Sequence, residues 1–267
     1  MRKVISKDGT AIAFDRLGEG PPIILVGGAF QHRAIDPQTA QLAALLAQHF
    51  TVFQYDRRGR GDSGDTLPYA VEREVEDLEA LIKEAGGSAF VYGASSGAAL
   101  AMEATIKLGG KIKKLAMYEA PYNSDDTARQ AWKEYRKQLR ELLAANRRGD
   151  AVALFLKLVK MPADQIEGMR HEPWWLMFEA VAPTLAYDAA VMGEDGSVPA
   201  GRAASVAVPA LVMNGDDASY GFMHDTAMAL AKAIPNAQQR TLVGQTHDVA
   251  PETLAPALVE FFKAEER

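Results

Sequence analysis

Ser95 stands at the centre of Gly93-Ala94-Ser95-Ser96-Gly97, a Gly-x-Ser-x-Gly stretch with chemical potential. The β-branched and aromatic run Ala89-Phe90-Val91-Tyr92 precedes it, and a helical run of Ala, Leu and Met follows from Ser96 to Leu108. A strand that becomes a helix this abruptly strains its central residue and needs small neighbours, here Gly93 and Gly97. The turn lifts the Ser95 hydroxyl clear of the backbone. The free N–H of Ser96 and the positive end of the helix dipole face the same space. These parts suit nucleophilic attack on a carbonyl carbon, although a Gly/Ser cluster also makes an ordinary turn. A serine nucleophile needs a base within hydrogen-bond reach. His247 in Gly244-Gln245-Thr246-His247-Asp248 offers an imidazole, and Glu119, Asp216 and Asp217 offer carboxylates.

The elements that must position these groups read as an α/β chain. Val4–Ser6 and Ala11–Leu17 form a hairpin around Lys7-Asp8-Gly9-Thr10, at one sheet edge. Ile23-Ile24-Leu25-Val26 is a continuous apolar run, the mark of a strand buried on both faces. Thr51–Tyr55, Ala89–Tyr92 and Lys113–Tyr118 are further strands, with helices over Gln38–Gln48, Val71–Glu84 and Ser96–Leu108 between them. From Tyr122 to about Ala203 the periodicity is helical: Trp132–Asn146, Ala151–Lys160, Pro162–Met169 and Trp174–Ala182, then a Gly/Pro-rich connector from Gly193 to Gly201. Alternation resumes with strand Ala210–Met213, helix Phe222–Ile234, strand Gln239–Val243 and helix Leu254–Phe262. The pattern implies a mostly parallel sheet with helices on both faces. It divides into a first core part (1–121), a helical cap insertion (122–203) and a second core part (204–267). In such a sheet ligands bind beyond the carboxyl ends of the strands. Ser95, the carboxylates and His247 all follow strands, in the order Ser, acid, His.

The 267 residues are 48% hydrophobic and 24% charged, enough for a large core in one or two domains. A net charge of −6 makes nucleic acid and anionic membrane surfaces poor partners. With no cysteine there is no disulfide, thiol nucleophile or thiolate metal site, which fits a reducing cytoplasm. The N-terminus lacks the apolar core of a signal peptide. No stretch approaches the ~20 apolar residues of a membrane span. The five histidines show no paired metal-ligand spacing.

The elbow at Ser95, the loop Tyr55-Asp56-Arg57-Arg58-Gly59-Arg60-Gly61-Asp62-Ser63 and the terminal Gly-x-x-His-Asp pattern occur together in one order. In this the chain resembles the α/β-hydrolase-fold superfamily, a serine hydrolase of esterase or lactonase type with a helical cap, over essentially its whole length. The resemblance implies Ser95 as nucleophile and His247 as base. It places the oxyanion hole at the N–H of Ser96 and of Ala29, in the loop after the third strand. Gly27-Gly28 stands where relatives commonly carry His-Gly. Most relatives place the acid three residues after the glycine ending the seventh strand, which here is Ala218. Asp216 and Asp217 are shifted from that register, and solvated turn residues look the same. Glu119, ending the sixth strand in Tyr118-Glu119-Ala120-Pro121, matches a minority placement seen in haloalkane dehalogenases and some lactone hydrolases. Glu119 is preferred, with Asp217 and then Asp216 as alternatives. Asp248 adjoins His247 in the chain and is poorly placed to face it.

Gly28, Phe30, Gln31, Trp174, Trp175 and Phe178 are the expected substrate-pocket residues; packing between cap and sheet would account equally for the aromatic ones. The expected reaction is cleavage of an uncharged, fairly apolar ester or lactone through an acyl-enzyme, with no cofactor or metal. A serine nucleophile argues against dehalogenase and epoxide-hydrolase chemistry, where the resemblance expects Asp. One alternative is C–C bond hydrolysis of a diketone-like compound. Another is a slow or non-catalytic binding protein of the same fold. The expected partner is a small-molecule substrate, and the sequence leaves a homo-oligomer open.

Overall fold

The computed structural model describes residues 1–217 and 220–265; Ala218 lies outside them. Eight strands form one sheet: β1 (Arg2–Ile5), β2 (Ala11–Leu17), β3 (Pro22–Val26), β4 (Thr51–Tyr55), β5 (Ala89–Ala94), β6 (Ile112–Tyr118), β7 (Ala210–Gly215) and β8 (Ala237–Leu242). Their spatial order is β1-β2-β4-β3-β5-β6-β7-β8. The pairs β1–β2 and β2–β4 are antiparallel, and every pairing from β4 through β3 to β8 is parallel. Strand order reverses where the chain leaves β3 for the outer β4 and returns to β5. Crevices for ligands open at such switch points, and both β3 and β5 carry candidate site residues.

Helices α1 (Pro37–Leu46), α2 (Val71–Glu84) and α3 (Ser96–Leu108) follow β3, β4 and β5. Strand β3 shows why its apolar run is unbroken. Ile23 and Leu25 pack in one cluster with Leu42 and Leu46 of α1, whereas Ile24 and Val26 pack in another with Leu78 of α2 and Leu100 of α3. Successive side chains on a strand point to opposite faces, and here both faces are covered.

Six helices lie between β6 and β7: α4 (Asp126–Ala144), α5 (Arg148–Leu158), α6 (Ala163–Arg170), α7 (Trp175–Val181), α8 (Leu185–Val191) and α9 (Ala200–Ala203). Helix α4 begins six residues earlier than periodicity implies, because the Asp125 carboxylate accepts from Thr127 N at 2.9 Å and Ala128 N at 3.1 Å. The sequence pattern does not set helix α8 apart from its surroundings. The chain closes with α10 (Phe222–Ala233) and α11 (Pro251–Lys263), the latter opened by Pro251 at a position that needs no N–H. Among the described residues no helix is long and apolar enough to cross a membrane.

The helical segment has its own apolar interior, and this corrects part of the expected pocket. Trp175 is buried there with Leu139, Val152 and Leu185, and Trp174 and Phe178 pack against the same cluster. Trp175 Nε1 donates to Glu179 Oε1 at 2.8 Å, and the Arg170 guanidinium lies 5.6 Å from its ring centroid. Phe30 inserts from the β3–α1 loop, with Phe155 and Phe178 edge-on at 5.1 and 5.0 Å between centroids. These aromatics hold the helices together and tie them to the sheet. Trp175→Ala is therefore expected to destabilise the protein by about 3–5 kcal/mol. Relative rates across an acyl-chain series should stay within about twofold in the folded fraction. Denaturant unfolding and a rate profile on the same preparation check both.

Candidate active site

The turn between β5 and α3 puts Ser95 at φ 54°, ψ −130°, the left-handed side of backbone space that a residue with a Cβ rarely adopts. Its neighbours are glycines for a steric reason. A Cβ on Gly93 would lie 2.3 Å from the Gly97 carbonyl oxygen, and one on Gly97 would lie 2.3 Å from that of Val26. Gly28 approaches from the β3–α1 loop so closely that an added Cβ would sit 2.9 Å from the Ser95 Cβ. Ser95 N donates to Tyr118 O at 2.9 Å, fastening the turn to the end of β6.

Glu119 is the residue that follows β6. It has φ 45° and is buried, with its own N–H donating to Met213 O of β7 at 2.9 Å. One carboxylate oxygen, Oε1, accepts from Gly215 N at 2.8 Å, and the other, Oε2, lies 2.7 Å from His247 Nδ1. That bond fixes the imidazole with Nε2 as its remaining ring nitrogen. The Tyr118 hydroxyl donates to Thr246 O and steadies the same loop. Asp216 is turned elsewhere: its carboxylate accepts from Gly244 N at 2.8 Å and joins the β7 and β8 loops. Asp217 lines the same cavity as His247, whose Nδ1 is paired with Glu119.

Ser95, His247, Gly28, Ala29, Gln31 and Ser96 line one cavity of about 900 Å3. Ser95 and His247 share this space without a direct hydrogen bond between their side chains. Such bonds commonly shorten only when substrate is bound. Among the described residues, neither Ala29 N–H nor Ser96 N–H donates to a protein acceptor, so both remain available to an oxygen in the cavity. Gly28 N–H is already taken by Gln31 Oε1. Gly28 and Gln31 both line the cavity. Phe30, Trp174, Trp175 and Phe178 are not among its lining residues. Their places are taken by Trp132 and Tyr135 of α4, Phe155 of α5, Met161 and Met192.

Sequence reasoning also missed a buried charge cluster beneath the site. Asp188 of α8 accepts from Ser96 Oγ at 2.7 Å, from Arg57 Nη1 at 2.6 Å and, on its two oxygens, from the single nitrogen Arg60 Nη2 at 2.9 and 2.8 Å. Arg57 also pairs with Glu74 of α2 at 2.7 and 2.8 Å. Burial alone would raise the Asp188 carboxyl, but the Arg60 and Arg57 charges and the Ser96 hydroxyl outweigh it and hold its pKa below the ordinary value. The available signal was a single Asp in the apolar helical run Leu185-Ala186-Tyr187-Asp188-Ala189.

The family model of the alpha/beta hydrolase family matches residues 23–259. The chain belongs to this family. An alpha/beta hydrolase from Sphaerobacter thermophilus is 52% identical, with 98% of this chain and 100% of that chain aligned and a TM-score of 0.88. A thermophilic esterase from Thermogutta terrifontis shares the fold at 22% identity, covering 98% and 97% of the two chains, TM-score 0.70. An enol-lactonase from Burkholderia xenovorans does so at 21%, covering 98% and 100%, TM-score 0.69. Membership of the alpha/beta hydrolase family supports hydrolytic activity, and the carboxylates can be ranked on that basis. Glu119→Gln keeps the shape but removes the charge beside Nδ1, and turnover should fall by about ten-thousand-fold. Asp217→Asn should change it by less than about tenfold. Steady-state turnover on one activated ester, with circular dichroism of both variants, gives the comparison; a severe loss in Asp217→Asn alone would reverse the ranking.

Proposed function

We propose that this protein is a serine hydrolase that cleaves an uncharged, fairly apolar ester or lactone through an acyl-enzyme. The observation that carries the reading is Ser95 on its strained turn, sharing one cavity with a His247 whose Nδ1 is held by Glu119. Ser95 Oγ attacks the acyl carbon while His247 Nε2 takes its proton. Glu119 stabilises the imidazolium that forms. The N–H groups of Ala29 and Ser96 meet the oxyanion of the tetrahedral intermediate, where preorganised donors act most strongly. His247 then gives its proton to the leaving oxygen and activates water for deacylation.

The cavity wall supports the substrate class. Trp132, Phe155, Met161 and Met192 make much of it apolar. Lys160 is the one Lys or Arg among its described lining residues, and the lining carboxylates Asp188 and Asp195 are already paired with arginines. A carboxylate-bearing diketone would find a single cationic side chain, Lys160, among the described lining residues, which favours ester or lactone cleavage over the C–C bond alternative. The esterase and lactonase named among the structural neighbours fit the same class. Helices α4 to α9 serve in this reading as a cap that supplies the apolar wall.

A fluorophosphonate probe is expected to label the wild type at Ser95 and to leave a folded Ser95→Ala variant unlabelled. That variant should lose short aryl-ester hydrolysis by more than about a thousandfold. Wild-type turnover in Ser95→Ala would sink the serine mechanism, and labelling of the wild type without turnover on an ester panel would favour a binding role.

A further inference from the structure

We propose that Arg60 and Asp188 are positioning residues that aim both oxyanion N–H groups, so that helix α8 of the cap takes part in building the oxyanion hole. The inference rests on the serine-hydrolase reading above and adds to it the device that sets the hole's geometry.

Arg60 lies in the β4–α2 loop and is buried. Its Nη1 donates to the carbonyl oxygen of Gly28, its Nε to Thr184 Oγ1 at 3.0 Å, and its Nη2 to both Asp188 oxygens. The Gly28 carbonyl and the Ala29 N–H belong to one peptide unit. That unit is planar and trans, so its C=O and N–H point in opposite directions. Drawing the carbonyl towards Arg60 turns the Ala29 N–H away from Arg60. Ala29 itself lines the cavity and donates to no acceptor among the described residues. A hydrogen bond to the carbonyl also polarises the peptide and strengthens its N–H as a donor. The neighbouring carbonyl, of Gly27, receives Arg57 at 3.3 Å, which holds the same loop a second time.

The other donor is held from the same carboxylate. Ser96 is the first residue of α3, and its hydroxyl donates to Asp188 Oδ1 at 2.7 Å. With its side chain anchored, Ser96 fixes the entry of the helix and the direction of its own N–H. One carboxylate on α8 is thus bonded directly to one donor residue and, through Arg60, to the peptide carrying the other.

Charge arithmetic separates aiming from attraction. Arg57 and Arg60 face Asp188 and Glu74, two positive groups against two negative ones, so the cluster is formally neutral. Its contribution to a growing oxyanion is therefore the placement of dipoles rather than net positive charge. Arg58, the residue between Arg57 and Gly59, provides an internal comparison. It is equally buried and pairs with Asp77 at 2.8 and 2.7 Å and with Asp8 at 2.8 Å, but it touches neither the oxyanion loop nor Ser96.

The test compares Arg60→Lys, Ser96→Ala and Arg58→Lys in the full chain. Each is measured for kcat and KM on an activated aryl ester, inhibition by an aryl trifluoromethyl ketone as oxyanion mimic, and melting temperature. Arg60→Lys keeps the charge but cannot reach Gly28 O, Thr184 Oγ1 and Asp188 at once, and Ser96→Ala removes one hydroxyl with little risk to folding. Both should lower kcat by about tenfold or more with KM within about threefold, and should weaken the ketone by a similar factor. Arg58→Lys should lower the melting temperature while leaving kcat and the ketone affinity within about twofold. If Ser96→Ala retains wild-type kcat and ketone affinity, the proposal is overturned. It is equally overturned if Arg58→Lys loses as much as Arg60→Lys, since general loosening then explains both. Fluorophosphonate labelling of the wild type runs alongside. A wild type that labels while Arg60→Lys and Ser96→Ala stay fully active overturns the positioning role alone, and one that does not label overturns the serine reading beneath it.

Discussion

There is no room for a side chain at Gly97, where an added Cβ would lie 2.3 Å from one backbone carbonyl oxygen and 2.6 Å from the next. That close approach lets α3 start directly against the end of β3, with Ser95 at the corner. Much of the site inherits its position from this packing. The β3–α1 loop can reach Ser95 because Gly28 also has no side chain. Ser95 N–H is satisfied by β6, which brings Glu119 to the same edge. The strain at Ser95 and at Glu119 is local and small beside the sheet that holds them, which is how such conformations persist at functional sites.

A second layer of order comes from buried charge. Arg57, Arg60 and Asp188 are almost wholly shielded from water, an arrangement that apolar residues of similar volume would often match or exceed in stability. Removing one partner is another matter, because it strands the remaining charge, at a cost of about 3–5 kcal/mol. The cluster joins the β4–α2 loop, α2, α3 and α8, so the helical segment cannot shift as a whole without breaking it.

The wall of the cavity shows why aromatic content is a poor guide to substrate contact. Trp174, Trp175 and Phe178 are large and clustered, and they pack with Leu139, Val152 and Leu185 to hold the helical segment together. Phe30, although only one residue from Ala29, turns through φ 63° and points into that interior. Trp132 and Tyr135, which do line the space, lie on α4, whose sequence is dominated by Lys, Arg, Gln and Glu. One face of an amphipathic helix is solvated while the other is buried, and composition averages the two.

The sequence alone determined the alternation of strands and helices, the glycine-flanked turn at Ser95 and the strand-end positions of Glu119 and His247. These follow from local rules: periodicity, backbone freedom at glycine, and a breaker at the end of each strand. Tertiary structure decided which carboxylate faces the imidazole. Glu119 and His247 are 128 positions apart, and their 2.7 Å contact depends on β6 and β7 lying side by side with the β8 loop folded across them. It also decided that Asp188 meets Arg60, across another 128 positions, on a helix too short to stand out in its surroundings. Local signals decay within a few residues, whereas the pairing of a charge inside a protein is set by whichever elements the core brings together.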